Sequence, residues 1–207
     1  TTFVKLSAAD FGVPQTRERV FFFGTRDDDQ SSAEIQKFAA VILDNLKVEK
    51  HVTVWEGIGD LPATVVHSGE VAEYPALPAG SSQFMKCMRL DAAGGPYTKA
   101  GKRRRAVDKK DGLALHNHHT KEMLAKRAKL ISYLKPGAKA DSLPKHIWNG
   151  ARPEKWRLLH PDLPSYTILA QMHRDLSEWV HPKLERWITV REAARLLLKR
   201  KNPRPPA

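Results

Sequence analysis

From Pro14 to Arg19 the chain reads Pro-Gln-Thr-Arg-Glu-Arg, which sets an amide, a hydroxyl and two guanidinium groups against Val20, Phe21, Phe22 and Phe23, its most apolar run. Arg17 and Arg19 are two apart, so on an extended backbone they project to one side while Glu18 projects to the other. Two planar guanidinium forks on one side suit a phosphate, a carboxylate or a base edge. Spacing alone leaves open the solvated face of an edge strand. A second candidate is the run Lys99, Lys102, Arg103, Arg104, Arg105, Lys109 and Lys110, opposed only by Asp108. Such a run grips phosphates without reading bases, or is simply a solvated loop. Two further groups tempt the eye. His116, His118 and His119 have the look of metal ligands, but no cysteine or paired carboxylate at ligand spacing accompanies them, so they read as a loop of polar histidines and no metal site is expected. Cys87 lies between Lys86 and Met88, and a lone free cysteine is most often a small core residue rather than a nucleophile.

These groups must be positioned by modest elements. Phe3 to Leu6 and Arg19 to Thr25 read as two strands joined by a Gly- and Pro-containing loop too long for a two-residue hairpin, with Val20 to Phe23 a short buried strand. A two-stranded ribbon cannot bury both faces, so something outside this segment should complete the sheet. Ser31-x-x-Glu34 offers a capping box for a helix with Ile35, Phe38, Ile42 and Leu46 on one side. Thr53-x-x-Glu56 starts a short helix that Gly59 and Pro62 end, and Thr189-x-x-Glu192 starts the last one. Residues 62 to 112, rich in Pro, Gly, Ala and Ser, read as mostly loop, and Gly57-Ile-Gly59 carries no weight as a phosphate loop. Thr120 is expected to cap a helix bearing Met123, Leu124, Leu130, Ile131 and Leu134, ended by Pro136-Gly137, with Lys121, Lys126, Arg127 and Lys129 on its other side. From Trp148 to Trp187 aromatics and basic residues mix, as on nucleic-acid surfaces and also as in the core of a small irregular domain.

Composition narrows the partner. The chain has 207 residues, 35 Lys and Arg against 23 Asp and Glu, and a formal net charge of +12. That surplus points to a polyanion, nucleic acid first, with an anionic membrane surface or an acidic protein as alternatives. No apolar run approaches the ~20 residues of a spanning helix and no signal peptide is visible. One cysteine excludes an internal disulfide. The chain therefore reads as soluble, intracellular and cytoplasmic. The absence of an initiator Met suggests a fragment or a processed chain.

Ala8 to Phe21, Ala-Ala-Asp-Phe-Gly-Val-Pro-Gln-Thr-Arg-Glu-Arg-Val-Phe, closely resembles the Gln-x-Arg-x-Arg motif of the DNA (cytosine-5) methyltransferases. Arg186-Trp-Ile-Thr-Val-Arg-Glu-Ala-Ala-Arg-Leu196 resembles the motif that follows their target recognition domain, and Pro164 to Asp175 resembles a strand and loop of that domain in which a Thr followed by an aliphatic residue recurs, here Thr167 and Ile168. The resemblance implies an α/β fold: the C-terminal edge of an S-adenosylmethionine-dependent, Rossmann-like methyltransferase sheet plus a small, irregular, mixed α+β target recognition domain. It divides the chain into a piece of the catalytic domain (1–50), the recognition domain (51–186), a helix returning to the catalytic domain (187–198) and a disordered basic tail (199–207). Arg17 and Arg19 would sit near a cytosine flipped out of duplex DNA, with Gln15 bracing their loop. Thr167 and the Gln171 to Arg174 loop, which includes His173, would meet the bases, since amides and guanidinium groups read adenine and guanine edges.

The family's Pro-Cys nucleophile, its Glu-Asn-Val segment and its Gly-rich cofactor loop have no counterpart here, and after Leu196 the resemblance stops, as in a truncation or a shifted reading frame. The expectation is therefore a C-terminal fragment, inactive alone and not binding S-adenosylmethionine. It would act in restriction-modification with an N-terminal catalytic part, in cis or as a separate chain. The alternative is a non-catalytic recognition subunit or a stand-alone nucleic-acid-binding module.

Overall fold

The computed structural model describes residues 1–24, 26, 31–92, 114–148, 150, 156–168 and 178–197. Two six-residue strands, β1 (Thr2–Ser7) and β3 (Glu18–Phe23), pair antiparallel from Thr2 opposite Phe23 to Ser7 opposite Glu18. Their connection is a 3-10 turn, Ala8–Phe11, closed by Gly12 at φ +78°, a conformation that glycine adopts without strain, and then the two-residue β2 (Gln15–Thr16). Helix α1 (Ser32–Leu46) packs on β1 and β3 and starts with the expected capping box, in which Ser31 and Glu34 bond each other's backbone N–H groups.

The main core lies farther along the chain. Helix α2 (Val54–Ile58), capped reciprocally by Thr53 and Glu56, packs against α5 (Val190–Leu196), capped by Thr189 and Glu192. Val54, Ile58, Leu159, Ile168, Trp179, Ile188, Ala193 and Leu196 form one buried cluster. A second cluster gathers Ile131, Leu134, Ala140, Leu143, Trp156, Val180 and Trp187. The aromatics at 156, 179 and 187 therefore serve as core, burying 150–250 Å² each in proteins generally. Around these clusters lie β4 (Val71–Glu73), antiparallel to β5 (Ala114–His116), then α3 (Gln83–Ala92), α4 (Ala125–Ile131), β6 (Arg157–Leu158), β7 (Ser165–Tyr166) and β8 (Trp179–Val180). β6 and β8 pair in parallel.

Four expectations need correcting. Val20, Phe21 and Phe22 form a strand but not a buried one: they are 50%, 48% and 76% exposed, because the described sheet stops at two strands. The region 62–112 contains the ten-residue helix α3, whose first turn is held by Ser82, where Oγ accepts from Met85 N; the N3 position is Met rather than Glu, so no capping box marked it. Thr120 caps nothing, since its hydroxyl donates to Ile188 O 2.9 Å away, and α4 starts only after Leu124. His118 is no polar loop residue: it is fully buried, with Nε2 2.9 Å from Pro62 O and Nδ1 3.2 Å from Thr189 Oγ1. Among the described residues no group of histidine, cysteine or carboxylate side chains could hold a metal, and no helix is long and apolar enough to cross a membrane.

Candidate nucleic-acid interface

The Gln-Thr-Arg-Glu-Arg segment is tied to the Pro164–Ile168 segment, distant in sequence, by a small parallel pairing. β2 lies beside β7, with Gln15 opposite Ser165 and Thr16 opposite Tyr166. Ser165 donates twice to Pro14 O, from its N at 3.0 Å and its Oγ at 3.0 Å. Thr16 Oγ1 donates to Ser165 O at 3.1 Å, and Thr167 Oγ1 returns a bond to Thr16 O at 3.0 Å. Ile168, with none of its surface exposed, then plugs into the main core, so Thr167 is held between an exposed Tyr166 and a buried anchor. α2 backs the same junction: Val54 N and Trp55 N donate to Leu163 O and Pro161 O, each at 2.9 Å, giving two of the helix's orphan N–H groups a partner in the same loop. At Gly57 a methyl group would stand 3.2 Å from Leu196 and 3.4 Å from Pro14, so the absence of a side chain lets α5 and the start of the motif approach α2 together.

Arg17 falls between β2 and β3, where its carbonyl accepts from Ala8 N at 2.9 Å. Arg19 lies in β3 opposite Leu6, is exposed, and donates from Nη1 to the neighbouring Glu18 O at 2.6 Å. The strand register puts Glu18 on the same face as Lys5, and the two form a 2.7 Å ion pair. Arg19 therefore lies on the other face from Glu18, as the alternation predicts. Gln15 is buried and its amide Nε2 has no hydrogen-bond partner, an orphan donor just before the two arginines. Thr167, by contrast, is brought directly against the motif. Lys102, Arg103, Arg104, Arg105, Gln171, His173 and Arg174 lie outside the described residues.

Sequence reasoning missed the ionic frame behind this junction. Asp60 is 2% exposed. Arg195 of α5, equally buried, bonds both of its oxygens, and Arg89 of α3 adds Nε to Oδ2 at 2.7 Å and Nη2 to the Asp60 carbonyl at 3.0 Å. Tyr74 carries the two guanidinium groups over its ring, at 5.1 and 5.5 Å. The only hint in the sequence was Asp60 following the Gly59 turn, and nothing local pairs it with position 195. A second frame holds the start of α5: Arg186 makes a bidentate pair with Glu192 at 2.9 and 2.7 Å. Burial, the largest influence, pushes the Glu192 carboxyl up, but the hydrogen bonds and charge of Arg186 outweigh it and hold the group below its usual range. Beside it, His181 Nδ1 accepts the N–H groups of Lys183 and Leu184 at 3.1 and 3.0 Å, so the ring proton belongs on Nε2, facing Glu192 Oε1 at 3.8 Å. Burial lowers its pKa to about 4.

Comparisons with known proteins place the chain in a family. The family described as C-5 cytosine-specific DNA methylase matches residues 2–197. The type II methyltransferase M.AgeI of Thalassovita gelatinovora is 29% identical over 93% of this chain and 56% of its own length. The type II methyltransferase M.DdeI of Desulfomicrobium norvegicum is 27% identical over 92% of this chain and 42% of its own. The chain thus spans about half the length of the curated relatives it matches. A prophage-encoded protein of E. coli, assigned as a DNA modification methyltransferase, superposes with a TM-score of 0.61 over 95% of this chain and 49% of its own, at 19% identity, and so shares the methyltransferase-like α/β fold. With the match running through both end motifs and the segment between them, the chain belongs to the C-5 cytosine-specific DNA methylase family.

Proposed function

We propose that this chain is the target-recognising half of a DNA (cytosine-5) methyltransferase, acting on duplex DNA together with a catalytic part that carries the nucleophile and binds S-adenosylmethionine. The observation that carries the reading is the β2–β7 pairing, which sets the two-arginine motif against Thr167 and the entrance of the segment 169–177. A base gripped by that segment and a base held by Arg17 and Arg19 would then be registered through one rigid junction. In this reading residues 1–50 belong to the catalytic domain, 51–186 to the recognition domain, 187–198 to the helix that joins them again, and 199–207 to a basic tail. Gln15 braces the arginine loop. The Lys102 to Arg105 run grips phosphates, and Gln171, His173 and Arg174 face the bases. The exposed Phe3, Val20 and Phe22 of the β1–β3 pair and Phe38, Val41, Ile42 and Leu46 of α1 favour a partner part over a stand-alone module.

In this reading the methyl donor belongs to the catalytic part. A cavity of about 270 Å³ is lined by Leu124, Lys126, Arg127, Leu130, Trp148 and Trp156, and its charged groups are both cationic, which disfavours a sulfonium ion. What the chain's own residues contribute is positioning: the planar fork of Arg19, set at the start of a strand, holds the extruded cytosine while the partner's thiolate adds.

The test is single-turnover methylation by the enzyme reassembled with its catalytic part, alongside DNA binding. Arg19→Ala is expected to slow the chemical step on the order of 10²-fold, as loss of one preorganised donor does elsewhere. DNA affinity should change little, and Arg19→Lys should be impaired as well. Wild-type rates with weakened binding would move Arg19 to the phosphate-gripping surface. Methyl transfer by the chain alone would overturn the division of labour.

A further inference from the structure

We infer that the cavity between α4 and the two tryptophans Trp148 and Trp156 takes a nucleotide of DNA that has left its base stack; this rests on the reading of the chain as a DNA-recognising half. The cavity, about 270 Å³ and lined by Leu124, Lys126, Arg127, Leu130, Trp148 and Trp156, falls just below the roughly 300–1,000 Å³ of sites for drug-sized ligands, so it suits one flat ring system. Its walls are set by the fold. Trp156 is 3% exposed, belongs to the second core cluster and packs on Trp148 with ring centroids 4.3 Å apart. Trp148 is the half-buried member, and glycine at 150 makes room for it, since a methyl group there would collide with its ring. Arg127 lies over Trp156, 4.7 Å from the ring centroid.

Two observations mark this cavity as a ligand site. Trp156 has φ +61°, a left-handed conformation that strains a bulky residue and that collects at ligand clamps. The indole Nε1 groups of both tryptophans are buried without a hydrogen-bond partner, and native structures seldom leave a buried donor unmet. A nucleobase answers both the shape and the donors. Its faces stack on Trp148 and on the plane of Arg127, and its edge carries the ring-nitrogen and carbonyl acceptors that the indole N–H groups lack, reached once Trp148 turns. Lys126 then supplies the counter-charge: it is exposed at the cavity and has no carboxylate partner among the described residues, so it is free to meet the phosphate. A bare phosphate would leave the leucine and tryptophan walls unused. The cavity is also tied to the arginine motif, because α4 leads to Gly137, whose carbonyl accepts from the hydroxyl of Tyr166, the partner of Thr16.

The experiment measures binding of the full chain, by fluorescence anisotropy, to a labelled duplex that is fully paired, to one with a single-nucleotide bulge, and to one whose bulge is abasic and so has the loosened backbone without the base. The base-bearing bulge is expected to bind on the order of ten-fold more tightly than the abasic one, the scale of one base–aromatic stack. 2-Aminopurine placed in the bulge should lose fluorescence on binding, as it stacks on an indole. Trp148→Ala should abolish the preference and the quench, and Trp148→Phe should keep most of each. Lys126→Glu, a change on the surface, should weaken the bulged complex more than the paired one. Equal affinity of the unaltered chain for the two bulges, while the paired duplex still binds, overturns the inference and leaves the recognition reading intact. A preference that survives Trp148→Ala, with thermal unfolding unaltered, puts the base elsewhere and overturns it as well. Failure of the unaltered chain to bind any of these duplexes at any salt overturns both.

Discussion

At the scale of single residues, His181 makes the sharpest statement. Its Nδ1 accepts two backbone N–H groups, and its side chain is 4% exposed, so adding a proton there would break both bonds and bury a charge. With a folded pKa near 4 and an unfolded one near 6.5, the unfolded chain binds the extra proton first as pH falls. Stability is therefore complete above about pH 6.5 and is lost toward pH 4, at up to about 1.4 kcal/mol per pH unit. His118, lowered mainly by burial, acts in the same direction. Glu192, whose pKa is also lowered, adds its own loss below pH 4.5. Urea unfolding between pH 4 and 8 should show that slope, and His181→Gln should reduce it above pH 4.5 to the share that His118 contributes, while leaving the Glu192 limb in place.

At the scale of elements, α2, α3 and α5 are bolted through Asp60. Removing one member of a buried pair strands the other charge, so Asp60→Asn should cost about 3–5 kcal/mol in denaturant unfolding. Arg89→Ala should cost less than Arg195→Ala, because the Arg89 side chain is 16% exposed against 1%. Ser165→Ala removes one neutral hydrogen bond to Pro14 O, worth about 1 kcal/mol, and slackens the junction without unfolding it. The sequence made part of this legible. Three helices announced themselves because Ser31, Thr53 and Thr189 each stand three residues before a Glu, and that chemistry is local. α3 and the true start of α4 were not legible, since Ser82 lacks the Glu and the Thr120 hydroxyl serves a bond 68 residues away. For the same reason Asp60 and Ser165 were not readable. Their roles are fixed by partners that only folding brings near.

At the scale of the molecule, the β1–β3 pair and α1 leave an apolar surface that includes Phe22 at 76% and Phe38 at 70% exposure, on a chain otherwise strongly basic. The chain alone should therefore bind a hydrophobic dye and self-associate, visible by light scattering after gel filtration. Phe22→Glu with Phe38→Glu should suppress both, while shifting unfolding by no more than about 0.5 kcal/mol per site. The same pair should abolish assembly with the catalytic part. The Ser165 clip has a different consequence. It closes a loop of about 150 residues, Thr16 and Ser165 being 149 apart. The entropy of closing a flexible loop grows only as the logarithm of its length, about 0.6 kcal/mol for each doubling. Chain added between the two ends of the clip, at turns on the surface, thus hardly taxes its closure, so insertions there change what the protein can touch without loosening the arginines that the clip holds.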